Sequence, residues 1–143
     1  LTFVSPMLLG RVDHPFNDEN YIAELKLDGI RGLYSSLGDR PRLFTRHQND
    51  ITAKYSELVT LDLPPGIVLD GELVVCDDEG KPDFEACMQR FSSRRSTRLK
   101  HTSFCVFDVL YYDHQSVIKL PITERKALLE ALSKTPNSFR RSA

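Results

Sequence analysis

Apolar and polar positions alternate from Tyr21 to Leu27 and again from Ile30 to Ser36, which predicts two strands, and Asp28-Gly29 between them is a strong short-range hairpin signal. "RLFTR" at Arg42 to Arg46 predicts a short third strand after a turn from Gly38 to Pro41. Thr52 is placed to cap a helix through "AKYSELVTL", which "DLPPG" at Asp62 to Gly66 then breaks. "IVLDGELVVC", Ile67 to Cys76, is β-branched and apolar enough for a buried strand, and "DDEGKPD" after it reads as an exposed turn. The period then changes: Phe84, Cys87, Met88 and Phe91 fall at i, i+3, i+4 and i+7, so "DFEACMQRF" predicts an amphipathic helix capped by Asp83. "FCVFDVLYY", Phe104 to Tyr112, predicts an interior strand, and a last helix starts near Thr123 with Leu128, Leu129 and Leu132 on its buried face. Without internal repeats or low-complexity segments, the pattern describes one α+β unit of mostly antiparallel sheet covered by helices.

Length and composition narrow the class without naming a chemistry. A chain of 143 residues is one domain in size and buries about 68–70% of its unfolded surface. The net charge of −1 excludes the globally basic footprint usual for a nucleic-acid-binding domain, so any such contact must come from local charge. Cys76, Cys87 and Cys105 have neither CxxC spacing nor a histidine cluster beside them, which favours reduced thiols over a disulfide framework or a zinc site. His14, His47, His101 and His114 show no ligand spacing. No run approaches the roughly 18 apolar residues of a membrane span and no leader opens the chain. The expectation is an intracellular protein, cytoplasmic if bacterial, without membrane contact.

The chemistry begins on the first strand. Alternation puts Glu24, Lys26 and Asp28 on one face and Ala23, Leu25 and Leu27 on the other. A solvated polar face is the ordinary reading of such a strand. "VLDGELVV" argues otherwise, because Asp70 and Glu72 share a face of a strand too apolar for an edge, and an acid there must be paired, hydrogen-bonded or functional. A lysine and several carboxylates facing one cleft tune one another's ionisation. To act as a nucleophile Lys26 must lose a proton it holds with an ordinary pKa of about 10.4. Neighbouring carboxylates alone oppose that loss, whereas Mg²⁺ held by carboxylates and substrate phosphates reverses their effect.

With "ELKLDGIR" (Glu24 to Arg31), "FTRHQNDIT", "VLDGELVV" and "FCVFDVLYYD" in this order, the chain resembles the covalent nucleotidyltransferases, whose signature is Lys-x-Asp-Gly. It is most similar to ATP-dependent DNA ligases of bacterial and phage type, including the ligase parts of end-joining proteins. The resemblance implies ATP and Mg²⁺ (or Mn²⁺) as cofactors, and DNA repair, replication or recombination as the setting. It implies that Lys26 attacks the α-phosphate of ATP to give lysine–AMP, that the AMP passes to a DNA 5′-phosphate, and that the nick is then sealed. It makes Glu24 the adenine-contacting acid, Arg31 a ribose or phosphate contact, and Arg46 the second motif's arginine. By the same resemblance Glu72 contacts ribose and a divalent metal, and Phe107 stacks on the adenine. Strand parity alone puts Phe107 and Asp108 on opposite faces.

"RFSSRRSTRLK" carries Arg90, Arg94, Arg95, Arg98 and Lys100 without an acid, in a chain with 19 basic and 20 acidic residues. The charge is therefore segregated, and Arg94, Arg95, Arg98 and Lys100 are candidates for gripping the phosphates of nicked duplex DNA. A solvated helix end is the equal alternative. Two motifs of the family, a Glu-Gly-apolar-Val strand and a Lys-x-Lys strand, have no counterpart here. The expectation is thus a partial adenylation domain over residues 1–143 that lacks its last strands, without the oligonucleotide-binding-fold domain. The chain begins at Leu1 and has no stop signal of its own, consistent with cut ends, and such a fragment is expected to be weakly active or inactive. The alternatives are an RNA ligase, a GTP-dependent capping nucleotidyltransferase, or a non-catalytic DNA-end-binding fragment.

Overall fold

The strand pattern becomes, in a computed structural model, one sheet of β1 (Ile30–Ser35), β2 (Arg42–Phe44), β3 (Val68–Val75), β4 (Thr102–Tyr112), β5 (Gln115–Ser116) and β6 (Phe139–Arg141). Three helices accompany it: α1 (Ser56–Val59), α2 (Phe84–Ser92) and α3 (Ile122–Leu132). The structure describes residues 2–7, 28–60, 62–93, 102–132 and 139–141, the last three by backbone alone. The predicted strand Tyr21 to Leu27 lies outside them. The sheet order is β2-β1-β3-β4-β5, all antiparallel, with β6 parallel to β4 at Phe104–Val106. The α+β, mostly antiparallel architecture is as expected. β6 is an element that no sequence signal announced.

The two central strands separate two cores. Tyr34, Leu69, Leu73, Phe104, Val106 and Val109 are buried with Leu58 of α1 and Leu129 and Leu132 of α3. Leu33, Phe44, Val68 and Leu110 form the second core, against which Phe3, Val4 and Met7 of the N-terminal segment pack. The Phe3 ring meets Phe44 edge-on at 5.5 Å. Alternation along β1 and β3 produces this division, because Leu33 and Val68 point away from Tyr34 and Leu69.

Two local expectations are corrected. The hairpin expected around Asp28-Gly29 has its first strand outside the described residues, and Gly29 itself does not have the left-handed backbone of a type I′ turn. Glycine is required at 29 for space: a Cβ there would lie 2.3 Å from the carbonyl oxygen of Leu73. The turn with both central residues left-handed is Asp113-His114 (φ 51° and 64°), joining β4 to β5. Thr52 does not cap α1, whose N-cap residue is Tyr55 without a side-chain bond; its hydroxyl accepts from the Leu43 amide at 3.0 Å. Asp83 does cap α2, accepting from the Ala86 amide at 3.0 Å, but the helix turns Cys87 and Arg90 inward and leaves Phe84 and Met88 exposed.

Arg90 explains the rotation of α2. Its guanidinium donates to Thr102 Oγ1 (2.7 Å) and the Lys54 carbonyl (2.8 Å), pairs with Glu57 (2.6 Å) and lies 4.4 Å above the Tyr55 ring. Burying a charge is tolerated where it is paired and most of its donors are met, and here Nε alone lacks a hydrogen-bond partner. Arg90 is therefore a structural clamp and not part of a DNA-facing strip.

Candidate functional site

The charged face of the sheet is built by β1, β3 and β4. Arg31 stands opposite Glu72, Leu33 opposite Asp70, and Asp70 opposite Asp108. Arg31 donates from Nε to Asp70 Oδ1 at 2.5 Å and from Nη2 to Oδ2 at 2.6 Å, and Nη2 also reaches the Met7 carbonyl at 3.1 Å. This two-pronged contact orients the planar guanidinium as a single bond would not. Its carbon lies 4.9 Å from the centre of the Phe107 ring, within cation–π range.

Asp70 is 1% exposed. Burial pushes its carboxyl pKa up while the Arg31 hydrogen bonds pull it down, and the same hydrogen bonds raise the guanidinium further above its ordinary value. Both oxygens accept from one guanidinium, so the carboxyl is ionised and the pair is ionic. Asp108 pairs with Arg125 of α3, whose Nε lies 2.8 Å from Oδ1. Two neighbouring acids, Asp70 on β3 and Asp108 on β4, thus stand between two arginines, one on β1 and one on α3.

Phe107 occupies an irregularity in β4. Pairing passes from Asp70–Asp108 to Gly71–Val106, so Phe107 is the residue the register skips, as in a β-bulge. It is half-buried with its ring toward Arg31. Strict alternation puts Phe107 and Asp108 on opposite faces; the skipped residue instead brings both to the side of the Arg31–Asp70 pair, while Val106 and Val109 face the main core.

Of the predicted site residues, the structure brings Arg31, Glu72 and Phe107 together. Arg46 sits apart: it is exposed in the turn after β2, with Nε 3.2 Å from His47 Nε2. Glu24 and Lys26 lie outside the described residues, as do Arg94, Arg95, Arg98 and Lys100. Among the described residues no three His, Cys, Asp or Glu side chains converge on a metal position. Arg125 and the Met7 carbonyl escaped the sequence reading. Arg125 had a signal, since Arg125, Leu129 and Leu132 at i, i+4 and i+7 share the buried face of α3. A backbone carbonyl has none.

This sheet face presents an arginine locked by one acid, a second acid across the strand pair and an aromatic ring, and the Lys-x-Asp-Gly sequence leads directly into it. The chain belongs to the ATP-dependent DNA ligase domain family, whose model matches residues 6–142. It is 52% identical over 138 residues to the SPbeta prophage-derived DNA ligase-like protein LigB of Bacillus subtilis, covering 96% of this chain and 50% of that one. It is 37% identical to the multifunctional non-homologous end joining protein LigD of Pseudomonas aeruginosa, over 91% of this chain and 15% of the relative. Among solved structures, the ligase domain of LigD from M. tuberculosis superposes with a TM-score of 0.67 at 34% identity, over 84% of this chain and 38% of that chain. A mycobacterial DNA ligase D complexed with ATP and MES gives a TM-score of 0.66 at 31% identity, over 82% of this chain and 38% of the other. The chain therefore spans half or less of the relatives it matches.

Proposed function

We propose that this chain is the nucleotide-binding part of an ATP-dependent DNA ligase and that Lys26 is its nucleophile. The observation that carries this reading is the cluster of Arg31, Asp70, Glu72 and Phe107 on one sheet face, two residues along from the Lys26-Leu27-Asp28-Gly29 segment. The ATP held by a solved relative makes the nucleotide assignment concrete.

Once its ammonium has given one proton to solvent, the neutral Lys26 amine attacks the α-phosphorus of ATP, forming a P–N bond as the P–O bond to pyrophosphate breaks, and the nitrogen then releases a second proton to solvent. Phe107 offers the adenine a ring face, and Arg31, held flat by Asp70, offers N–H donors to ribose or phosphate oxygens. Glu24 contacts the base and Arg46 comes to the nucleotide or DNA from the turn after β2. In the later steps the AMP passes to a DNA 5′-phosphate and the 3′-hydroxyl displaces it. Arg94, Arg95, Arg98 and Lys100 are assigned to DNA phosphates.

A Mg²⁺ ion fits this face through one carboxylate, Glu72, because the ion keeps several waters and shares substrate phosphates. Asp70 is unsuited, with both oxygens committed to Arg31. Bound there, the ion would supply charge neutralisation at the phosphates and would favour the neutral form of the attacking amine. An oligonucleotide-binding-fold domain outside residues 1–143 belongs to the same proposal.

The test is incubation of the full natural protein with Mg²⁺ and ATP labelled at the α-phosphate. An acid-labile protein–AMP adduct is expected, lost completely in Lys26→Ala. An unaltered protein that forms no adduct would refute the reading.

A further inference from the structure

The skipped residue of β4 does not hold itself in place. Among the described residues, two consecutive side chains of α3 grip the strand there. Lys126 Nζ donates to the carbonyl of Phe107 itself. Arg125 Nε donates to Asp108 Oδ1, which also accepts from the Val109 amide at 2.9 Å, while Arg125 Nη1 binds the carbonyls of Leu120 (2.6 Å) and Ile118 (3.2 Å). Leu129 and Leu132 bury the following turns of the helix, so the grip rests on a fixed base. Along the irregular stretch Val106–Asp108, β3 pairs on one side, β6 reaches Val106 on the other, and two cations of α3 bind at Phe107 and Asp108.

We infer that Lys126, assisted by Arg125, is a positioning residue for Phe107: by holding the carbonyl at the bulge it sets the direction of the ring that faces the nucleotide base. The inference rests on the proposed adenylation reading. A bulge commonly re-aims one side chain at a site, and a carbonyl outside the regular ladder needs another donor. Lys126 supplies a donor to the Phe107 carbonyl from α3, beside the Arg125–Asp108 link. Without the ammonium, the Phe107 peptide is free to rotate, and the ring loses its fixed separation from Arg31. Nucleotide affinity then falls, while Lys26 and its chemistry are untouched.

A double-mutant cycle on the full natural protein separates this from a merely structural lysine. Lys126→Met should raise the KM for ATP in adenylation by about tenfold, the cost of one lost hydrogen bond to a charged group, with kcat little changed. Lys126→Arg should restore it. In a Phe107→Leu background Lys126→Met should add almost nothing, because the ring it positions is gone. An equal effect in both backgrounds, or none in either, would overturn the inference. Amide hydrogen exchange gives a readout independent of nucleotide: exchange at Phe107 to Val109 should quicken in Lys126→Met at unchanged exchange in β1, and an unaltered pattern would count against it. A failure of the adenylation reading shows instead as no adduct in the unaltered protein, with the exchange result still deciding whether Lys126 holds the bulge.

Discussion

The two faces of β3 make opposite use of the same eight residues, Val68–Val75. On one side Leu69 and Leu73 are wholly buried among Tyr34, Phe104 and Val109 and under α3. On the other, Asp70 and Glu72 stand with Arg31, and Asp70 is as deeply buried as the leucines. The apolar face gains from burial that needs no particular direction. The charged face is stable only because each buried ion meets a counter-ion at fixed geometry. One strand thus provides a rigid back that holds a set of charges in place on its front. The glycine between the two acids belongs to this arrangement, since a Cβ at Gly71 would lie 2.5 Å from the Cys105 carbonyl oxygen, and any side chain would push β4 away.

The comparison can be broken from either side. Removing a partner from the charged network should cost most: Arg125→Met leaves Asp108 beside Asp70 without its cation, and a loss of about 3–5 kcal/mol is expected from denaturant titration. A loss under 1 kcal/mol would mean that the network contributes little to holding the strands. On the apolar face Leu73→Ala should cost about 2–4 kcal/mol by the same titration, because the side chain is fully enclosed.

Raising the pH probes the apolar side by another route. Burial pushes the hydroxyls of Tyr34 and Tyr55 up to about 12 from the ordinary 10.0. The unfolded chain then releases both protons near pH 10 while the folded chain still holds them, so ν_U is smaller than ν_N and stability falls as pH rises. The stabilisation is complete below pH 10 and disappears through pH 12, by roughly 2–3 kcal/mol for each ring. Tyrosinate absorbance should therefore appear together with unfolding, and free ionisation in a still-folded chain would contradict it. The smallest effect belongs to the exposed pair Arg42–Asp50, 3.0 Å apart at the edge of the sheet, where Arg42→Gln should change stability by less than about 1 kcal/mol.

Much of this division was legible beforehand, and the exceptions have physical causes. The run Ile67 to Cys76 predicted β3, and its paired acids predicted a polar face inside an apolar strand. Asp83 capped its helix as its residue type suggests. Phe84 and Met88 misled because apolar spacing reports which residues prefer burial, whereas Arg90 found more partners and took the inward position. Gly29 serves a close approach to the Leu73 carbonyl, which a sequence pattern does not distinguish from a left-handed turn. The turn between β4 and β5, Asp113-His114, is left-handed at both central residues without a glycine. Register irregularities such as the one at Phe107 depend on which strands become neighbours, and no local pattern in β4 encodes that. Motif order named Arg31, Glu72 and Phe107, which the fold brings onto one sheet face, while Arg125 and Lys126 reach β4 from a helix that motif order never touched.

β2 carries a consequence of its own. It ends the described sheet path with only three residues, and its first residue, Arg42, is charged and paired with Asp50. The long strands rich in Val, Leu and Phe, β3 and β4, lie inside, flanked on both sides. An edge that is short and charged gives a second molecule little backbone to pair with. The segments most prone to form intermolecular β-structure thus lie away from this edge, separated from it by β1.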